Sequence, residues 1–275
     1  MTWKRRIAAV QMTATQDLIS NLAVCREAIA HAATEGAQIV TLPECFAFLG
    51  LVEGDKRAAA ESLDGPPGRI LSTICEAASK TGTWVVGGGM PESVAGDPLR
   101  TYNTLIVVNP QGQLTARYRK LHLFDVDIPG GAVLKESSNT AAGDSVVVTD
   151  IAGVQMGLSI CYDVRFPELY RQLTVGGAEV LLVPAAFTAH TGKAHWHLLL
   201  RARAVENQAW VVAPAQTGQH NPKRASFGHS VVIDPWGDIV AECATGPGVI
   251  YADIDGATVA SRRLQMPCLQ HAKLL

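Results

Sequence analysis

The sequence predicts an α/β fold in which mixed sheets are covered by helices, and three observations carry that reading. β-branched runs alternate with helical stretches at both ends of the chain, hairpins replace crossovers in the middle, and no linker, repeat or low-complexity tract divides the whole. Arg6 to Val10 precedes a helical pattern from Asn21 to Thr34, Ala37 to Thr41 precedes a helix near Ile70 to Lys80, and Trp84-Val85-Val86 completes a βαβαβ order. Thr104 to Val108, Leu114 to Tyr118, Val146 to Ile151 and Val154 to Ile160 then follow one another, with turns such as Asn109-Pro110-Gln111-Gly112 between them. The alternation returns with a helix from Pro167 to Val175, strand Val180 to Val183, helix His195 to Asn207 and strand Trp210 to Ala213. Three strands, Ser230 to Ile233, Ile239 to Cys243 and Val249 to Asp253, are expected to close the chain, so residues 1–275 read as one domain.

Composition narrows the function. Hydrophobic residues make up 48% of the chain and charged ones 17%, against roughly 25% charged in an ordinary globular domain, so a large shared interior is expected. The net charge is −2 and the longest basic run is Lys4-Arg5-Arg6, which argues against nucleic acid and anionic lipid as partners. Ile7-Ala8-Ala9-Val10 gives way at once to Gln11, too short for the apolar core of a signal peptide. No apolar stretch approaches the ~18 residues of a membrane span, and a cytoplasmic location is the expectation. The six cysteines (25, 45, 75, 161, 243, 268) are widely spread and form no C-x-x-C, which argues against a disulfide framework and a structural zinc site.

The common nucleotide motifs and the G-x-S-x-G elbow are absent, and Gly87-Gly88-Gly89 reads as a place of tight packing. Three places carry reactive groups where an apolar strand stops, which is where clefts open in α/β folds. In Ile39-Val40-Thr41-Leu42-Pro43-Glu44, proline ends the ladder and Glu44 projects beyond it. In Ala116-Arg117-Tyr118-Arg119-Lys120, one ammonium inside a cleft would be a strong partner for developing negative charge. In Gly157 to Glu168, a strand runs into Cys161 and Pro167-Glu168 begins a helix. Singly, each has a commoner reading, as a solvated acid, a solvated strand end and a buried inert thiol. Together they form a hydrolytic set, because a thiol needs a base and its tetrahedral adduct needs a cationic or N–H clamp.

Leu42-Pro43-Glu44, Tyr118 to Asp125 and Cys161 to Glu168 resemble the three catalytic blocks of the nitrilase (carbon–nitrogen hydrolase) superfamily. The resemblance extends through Ala194-His195-Trp196, Arg201 to Asn207 and Gly228 to Gly237, nearly the whole chain. It implies a four-layer αββα sandwich, assembly into a homodimer or higher homo-oligomer, no cofactor and no metal. It also implies a Glu44–Lys120–Cys161 triad supported by Glu136, cleaving a small-molecule amide by way of a cysteinyl thioester. Glu44 would serve as base, acid and base again, Lys120 and the Tyr162 backbone N–H would hold the oxyanion, and ammonia would leave. Arg165 would fork onto a substrate carboxylate, the alternative being an ion pair with Glu168 or Asp163. The stretch Gln216 to His229 resembles the Nit branch, which implies hydrolysis of deaminated glutathione and brings in Lys223 or Arg224 for a second carboxylate. Omega-amidase action on 2-oxoglutaramate and carbamoyl-amino-acid hydrolysis are the alternatives. One departure stands out: His197 follows Trp196 where the family commonly has Glu.

Two other classes fit the sequence less well. A metal amidohydrolase could use His195-x-His197, but Trp196 to Asn207 reads as helix, where positions i and i+2 diverge. A non-enzymatic scaffold is opposed by the intact set of Glu44, Lys120 and Cys161.

Overall fold

Period-two alternation along the strands sorts the apolar residues into three separate cores, and the architecture follows from that sorting. The computed structural model describes residues 3–52, 54–127 and 133–274. The first half contributes β1 (Lys4–Gln11), α1 (Leu18–Thr34), β2 (Ile39–Leu42), α2 (Arg69–Thr81), β3 (Trp84–Val94), β4 (Asp97–Val108) and β5 (Leu114–Arg119). A short pair, β6 (Asp125–Asp127) and β7 (Val133–Lys135), leads to β8 (Val148–Ile151), β9 (Val154–Leu158), α3 (Pro167–Val175), β10 (Val180–Leu182), α4 (Ala189–Asn207) and β11 (Trp210–Ala213). The remainder is β12 (Thr217–Asn221), β13 (Arg224–Phe227), β14 (Ser230–Ile233), β15 (Ile239–Cys243), β16 (Gly248–Asp255), α5 (Gly256–Gln265) and α6 (Cys268–His271).

Two six-stranded mixed sheets result, ordered β16-β1-β2-β3-β4-β5 and β15-β14-β11-β10-β9-β8. Ala8, Val10, Val40 and Leu42 face α1 and α2, while Ile7, Ala9 and Ile39 on the same strands face the second sheet. On that sheet Val180, Leu182, Val212 and Val232 turn inward, and Leu181, Val211, Val231 and Ile233 pack under α3 and α4. The order is helix, sheet, sheet, helix, an αββα sandwich. Three apolar interfaces account for the low charge fraction. No helix among the described residues is long and apolar enough to cross a membrane, and the six cysteines are free thiols.

Several boundaries depart from expectation for identifiable reasons. β3 continues through Gly87-Gly88-Gly89 to Val94 because those positions have no room for side chains. A Cβ at Gly88 would lie 2.2 Å from the Leu42 carbonyl oxygen and 2.3 Å from Pro184 Cβ. Helix α4 begins at Ala189 rather than His195. Gly192, a weak helix former, sits in its first turn because the Phe227 ring occupies the space a Cβ would take, at 2.4 Å. The antiparallel pair β12–β13 is polar and was not anticipated. The chain does not close on three strands, since Asp255 accepts the Thr258 N–H at 2.7 Å and caps α5. β8 starts at Val148 and β9 stops at Leu158, each short of the apolar run that suggested it.

Gly88→Ala is expected to destabilise the fold by about 1–3 kcal/mol through overpacking. Gly65→Ala, whose Cβ would meet nothing within 4 Å, should shift stability by no more than about 0.5 kcal/mol. Equilibrium denaturation of the two variants checks the difference.

Candidate active site

Three strand ends bring the expected groups together at the seam between the sheets. Pro43-Glu44 follows β2, Lys120 follows β5 and Cys161 follows β9 after two residues. Strand alternation sets the direction of Lys120. Tyr118 and Lys120 turn into the seam, while Arg119 pairs with Glu92 at 2.6 Å and Arg117 with Asp64 at 2.8 Å on the other face.

Glu44 is 4% exposed, and each of its oxygens is engaged. Oε1 accepts from Lys120 Nζ at 3.1 Å and Asn103 Nδ2 at 2.9 Å, and Oε2 accepts from the Ala186 N–H at 2.8 Å. Gln216 Nε2 holds the Glu44 carbonyl at 3.0 Å. Lys120, 2% exposed, also reaches Glu136 Oε2 at 3.0 Å. The Phe124 N–H donates to that same oxygen at 2.7 Å and turns Glu136 inward. Glu136 is thus part of the buried cluster and not a loop acid directed at solvent.

Cys161 opens a 3-10 turn (Cys161–Arg165) with φ of +48°, a left-handed conformation uncommon for a side-chain-bearing residue. Its N–H donates to the Pro184 carbonyl at 2.9 Å, and its thiol and the Glu44 carboxylate act on each other electrostatically. Tyr162 N–H lies in the first turn, where a helix leaves its donors without intrahelical acceptors. Arg165 is paired with neither Glu168 nor Asp163. Its guanidinium lies 5.2 Å from the Phe187 ring centre and 5.8 Å from that of Tyr162, and its Nη1 is 3.3 Å from His195 Nδ1.

The charge states follow from burial and neighbours. Burial alone would raise the Glu44 carboxyl, but the Lys120 ammonium, the Cys161 thiol and the Ala186 N–H bring it below its ordinary value of 4.5. Burial would lower Lys120, yet Glu136 and Glu44 hold it well above the usual lysine range. Burial and the Glu44 charge push the Cys161 thiol well above its ordinary 9.0. At neutral pH the cluster therefore rests as carboxylate, ammonium and protonated thiol. A thiol so placed can lose its proton to the carboxylate on attacking a carbonyl carbon, and an adjacent ammonium can receive the negative charge that would develop.

Sequence reasoning missed the residue that joins two of these strand ends. Asp163 is fully buried. It accepts from the Ile160 N–H at 2.8 Å, Tyr118 Oη at 2.7 Å and the His122 N–H at 3.1 Å, and it meets His122 Nδ1 at 2.7 Å. It locks the turn bearing Cys161 to the segment bearing Lys120. Asn103 and Gln216 were missed as well, since an isolated amide carries no sequence signal and their partner Glu44 is remote in the chain. Of the two cations expected from the Gln216–His229 stretch, Lys223 is exposed. Arg224 acts electrostatically on Glu44, Cys161 and Glu136.

His195 and His197 diverge on α4, one toward Arg165 and the other toward Glu242. Among the described residues, the group able to hold a metal ion is His197, His229 and Glu242, separate from the cluster around Lys120.

The fold, the half-buried thiol and the buried carboxylate and ammonium are those of a hydrolase. The carbon–nitrogen hydrolase profile matches residues 6–264, and the chain belongs to that family, whose members act on non-peptide carbon–nitrogen bonds. It is 47% identical over 267 residues to a deaminated glutathione amidase of Synechocystis, covering 96% of both chains. The Caenorhabditis elegans NitFhit crystal structure superposes with a TM-score of 0.92 at 42% identity, over 98% of this chain and 65% of that one. This chain therefore spans about two thirds of that fusion protein. An amidase of Nesterenkonia, 28% identical with a TM-score of 0.79 over 96% of this chain and 95% of that one, has been captured with the acetamide moiety of fluoroacetamide on its active-site cysteine.

Asp163→Ala leaves four donors facing a void, and a loss of about 3 kcal/mol or more is expected in chemical denaturation.

Proposed function

We propose that the chain is an amidase that cleaves a small carboxylate-bearing amide through a thioester on Cys161, with deaminated glutathione as substrate. The observation that carries this reading is the Lys120 ammonium paired with both Glu44 and Glu136, with Glu44 also coupled electrostatically to the Cys161 thiol. In the first half-reaction Glu44 takes the thiol proton as sulfur attacks the amide carbon. Lys120 and the Tyr162 N–H receive the oxyanion, and Glu136 keeps Lys120 charged and in place. The C–N bond then breaks as the Glu44 proton passes to the departing nitrogen. From a primary carboxamide that nitrogen leaves as ammonia; from deaminated glutathione, whose amide is γ-linked, it leaves as the amino group of cysteinylglycine. In the second half, Glu44 deprotonates a water that attacks the thioester, and the proton returns to sulfur. No cofactor enters these steps.

The substrate assignment rests on relatives of that name at 40–47% identity and on two arginines suited to a substrate with a carboxylate at each end. Arg165 lies on the Tyr162 and Phe187 rings. Arg224 begins β13, is half-buried, and makes no hydrogen bond or ion pair through its guanidinium among the described residues. A desolvated guanidinium with free donors fits a carboxylate in the bidentate manner. We read residues 1–275 as one catalytic domain working in the cytoplasm as a homodimer or higher assembly. Exposed Val175, Leu198 and Val205 on α3 and α4 are consistent with such an interface.

Deaminated glutathione should show a higher kcat/KM than 2-oxoglutaramate, and an equal or reversed ratio would shift the reading to omega-amidase. Cys161→Ala should abolish turnover of both. Arg224→Gln should raise KM by about tenfold or more with a smaller change in kcat.

The pH profile supplies a second check. Glu44 is the group whose value is depressed, so its base form persists as pH falls and is lost only below 4.5. The thiol deprotonates only above 9.0. A kcat/KM profile that is flat between these limits, measured where circular dichroism shows intact fold, is expected. An acid limb near neutrality would contradict the assignment of Glu44 as base.

A further inference from the structure

Away from the catalytic cluster, three ligating atoms from three different elements converge on one spot. His197 Nε2, on α4, lies 2.9 Å from Glu242 Oε1, on β15. His229 Nδ1, from the turn that enters β14, lies 2.5 Å from the same oxygen. All three ligand atoms fall within 4.8 Å of one another.

Their surroundings hold the rings in these directions. The His229 ring stacks on Phe227 with centres 4.2 Å apart and planes at 22°. The His197 ring stands edge-on to both, at 5.1 Å from His229 and 6.1 Å from Phe227. The His229 backbone has φ of +58°, and its carbonyl accepts from Trp196 Nε1 at 2.8 Å. Trp196, the residue before His197, is fully buried, so the helix position that presents one ligand also fixes the backbone that presents another. The side chains are between 23% and 32% exposed, which leaves an ion a path in and a place for water on its open side.

We propose that His197, His229 and Glu242 bind a divalent transition metal ion of the zinc type, which clamps α4 to the β14–β15 edge of the second sheet. Two imidazoles and one carboxylate suit zinc, nickel or copper, whereas magnesium and calcium prefer oxygen ligands throughout. Bonds of about 2.0–2.1 Å at tetrahedral angles put neighbouring ligand atoms roughly 3.3 Å apart. The two nitrogen–oxygen separations need to open by less than about 1 Å and the nitrogen–nitrogen separation to reach the same spacing from within 4.8 Å, adjustments within the reach of part-exposed side chains. Each imidazole now directs a nitrogen at the carboxylate. On metal binding that nitrogen supplies its lone pair, and the proton of a neutral ring moves to the opposite ring nitrogen. No redox step is involved, and the clamp is independent of how the amide is cleaved. β15 is an edge strand whose Ile239 and Val240 are exposed, so a cross-link there acts on a weakly covered margin of the fold.

The test uses chelator-treated full-length protein with its cysteines alkylated, so that thiols do not compete for the ion. Calorimetric titration with zinc chloride should show one site per chain. Excess zinc should raise Tm by about 5 °C, and magnesium should do neither. His197→Ala and Glu242→Gln should each weaken zinc binding by about tenfold or more, with metal-free Tm values measured alongside to show that both variants fold. Zinc binding of equal strength in both variants, or no zinc-dependent heat and no Tm shift in the parent protein, overturns the proposal.

Discussion

One buried ammonium governs the architecture around it. Lys120 carries its charge where water is excluded, and a lone charge there would cost several kcal/mol. Glu44 and Glu136, each paired with Nζ, offset that cost, and Arg224 supplies a second positive charge to the same region. Two acidic side chains and two cationic ones thus face the same region. The arrangement also explains why the thiol stays protonated. With Glu44 already charged beside it, a resting thiolate would be a second adjacent anion, and the proton leaves only as the sulfur finds an electrophile.

Holding four charged groups in register requires rigid supports, and the sandwich provides them from both sheets. Glu44 and Lys120 leave the ends of β2 and β5 in the first sheet, and Cys161 leaves the end of β9 in the second. Two kinds of contact cross the seam: Asp163 binds the Cys161 turn to Tyr118 and His122, and Ala186 holds Glu44 by its N–H. Within the second sheet, Cys161 is anchored to the Pro184 carbonyl. The absent side chain at Gly88 lets β3 pass between Leu42 and Pro184 at close range. A helix-on-sheet fold without the second sheet would offer Glu44 and Lys120 but not the Cys161 thiol.

Much of this was legible in the sequence because strand ends are legible. Apolar runs that stop at Pro43-Glu44, at Arg119-Lys120 and at Cys161 locate reactive groups without knowledge of distant contacts, and Pro167 marks the start of α3. Glu136 came only through family resemblance, since nothing in Lys135-Glu136-Ser137 points inward until Phe124 supplies the N–H that turns the carboxylate. Asp163 was visible only as a counterion for Arg165, because three of its four donors come from about 40 residues away. The β12–β13 pair escaped because its residues are polar and lack a strand period, and the start of α4 escaped because Gly192 looks like a helix breaker until Phe227 is placed above it.

The thiol, carboxylate and ammonium are brought together for a reaction that passes through a single acyl-enzyme, and partitioning with hydroxylamine tests that intermediate most directly. Two amides sharing an acyl group but differing in the departing amine should give the same ratio of hydroxamate to acid at each hydroxylamine concentration, because both pass through one thioester. A ratio that changes with the departing amine, or acid formed with no hydroxamate at all, would contradict it.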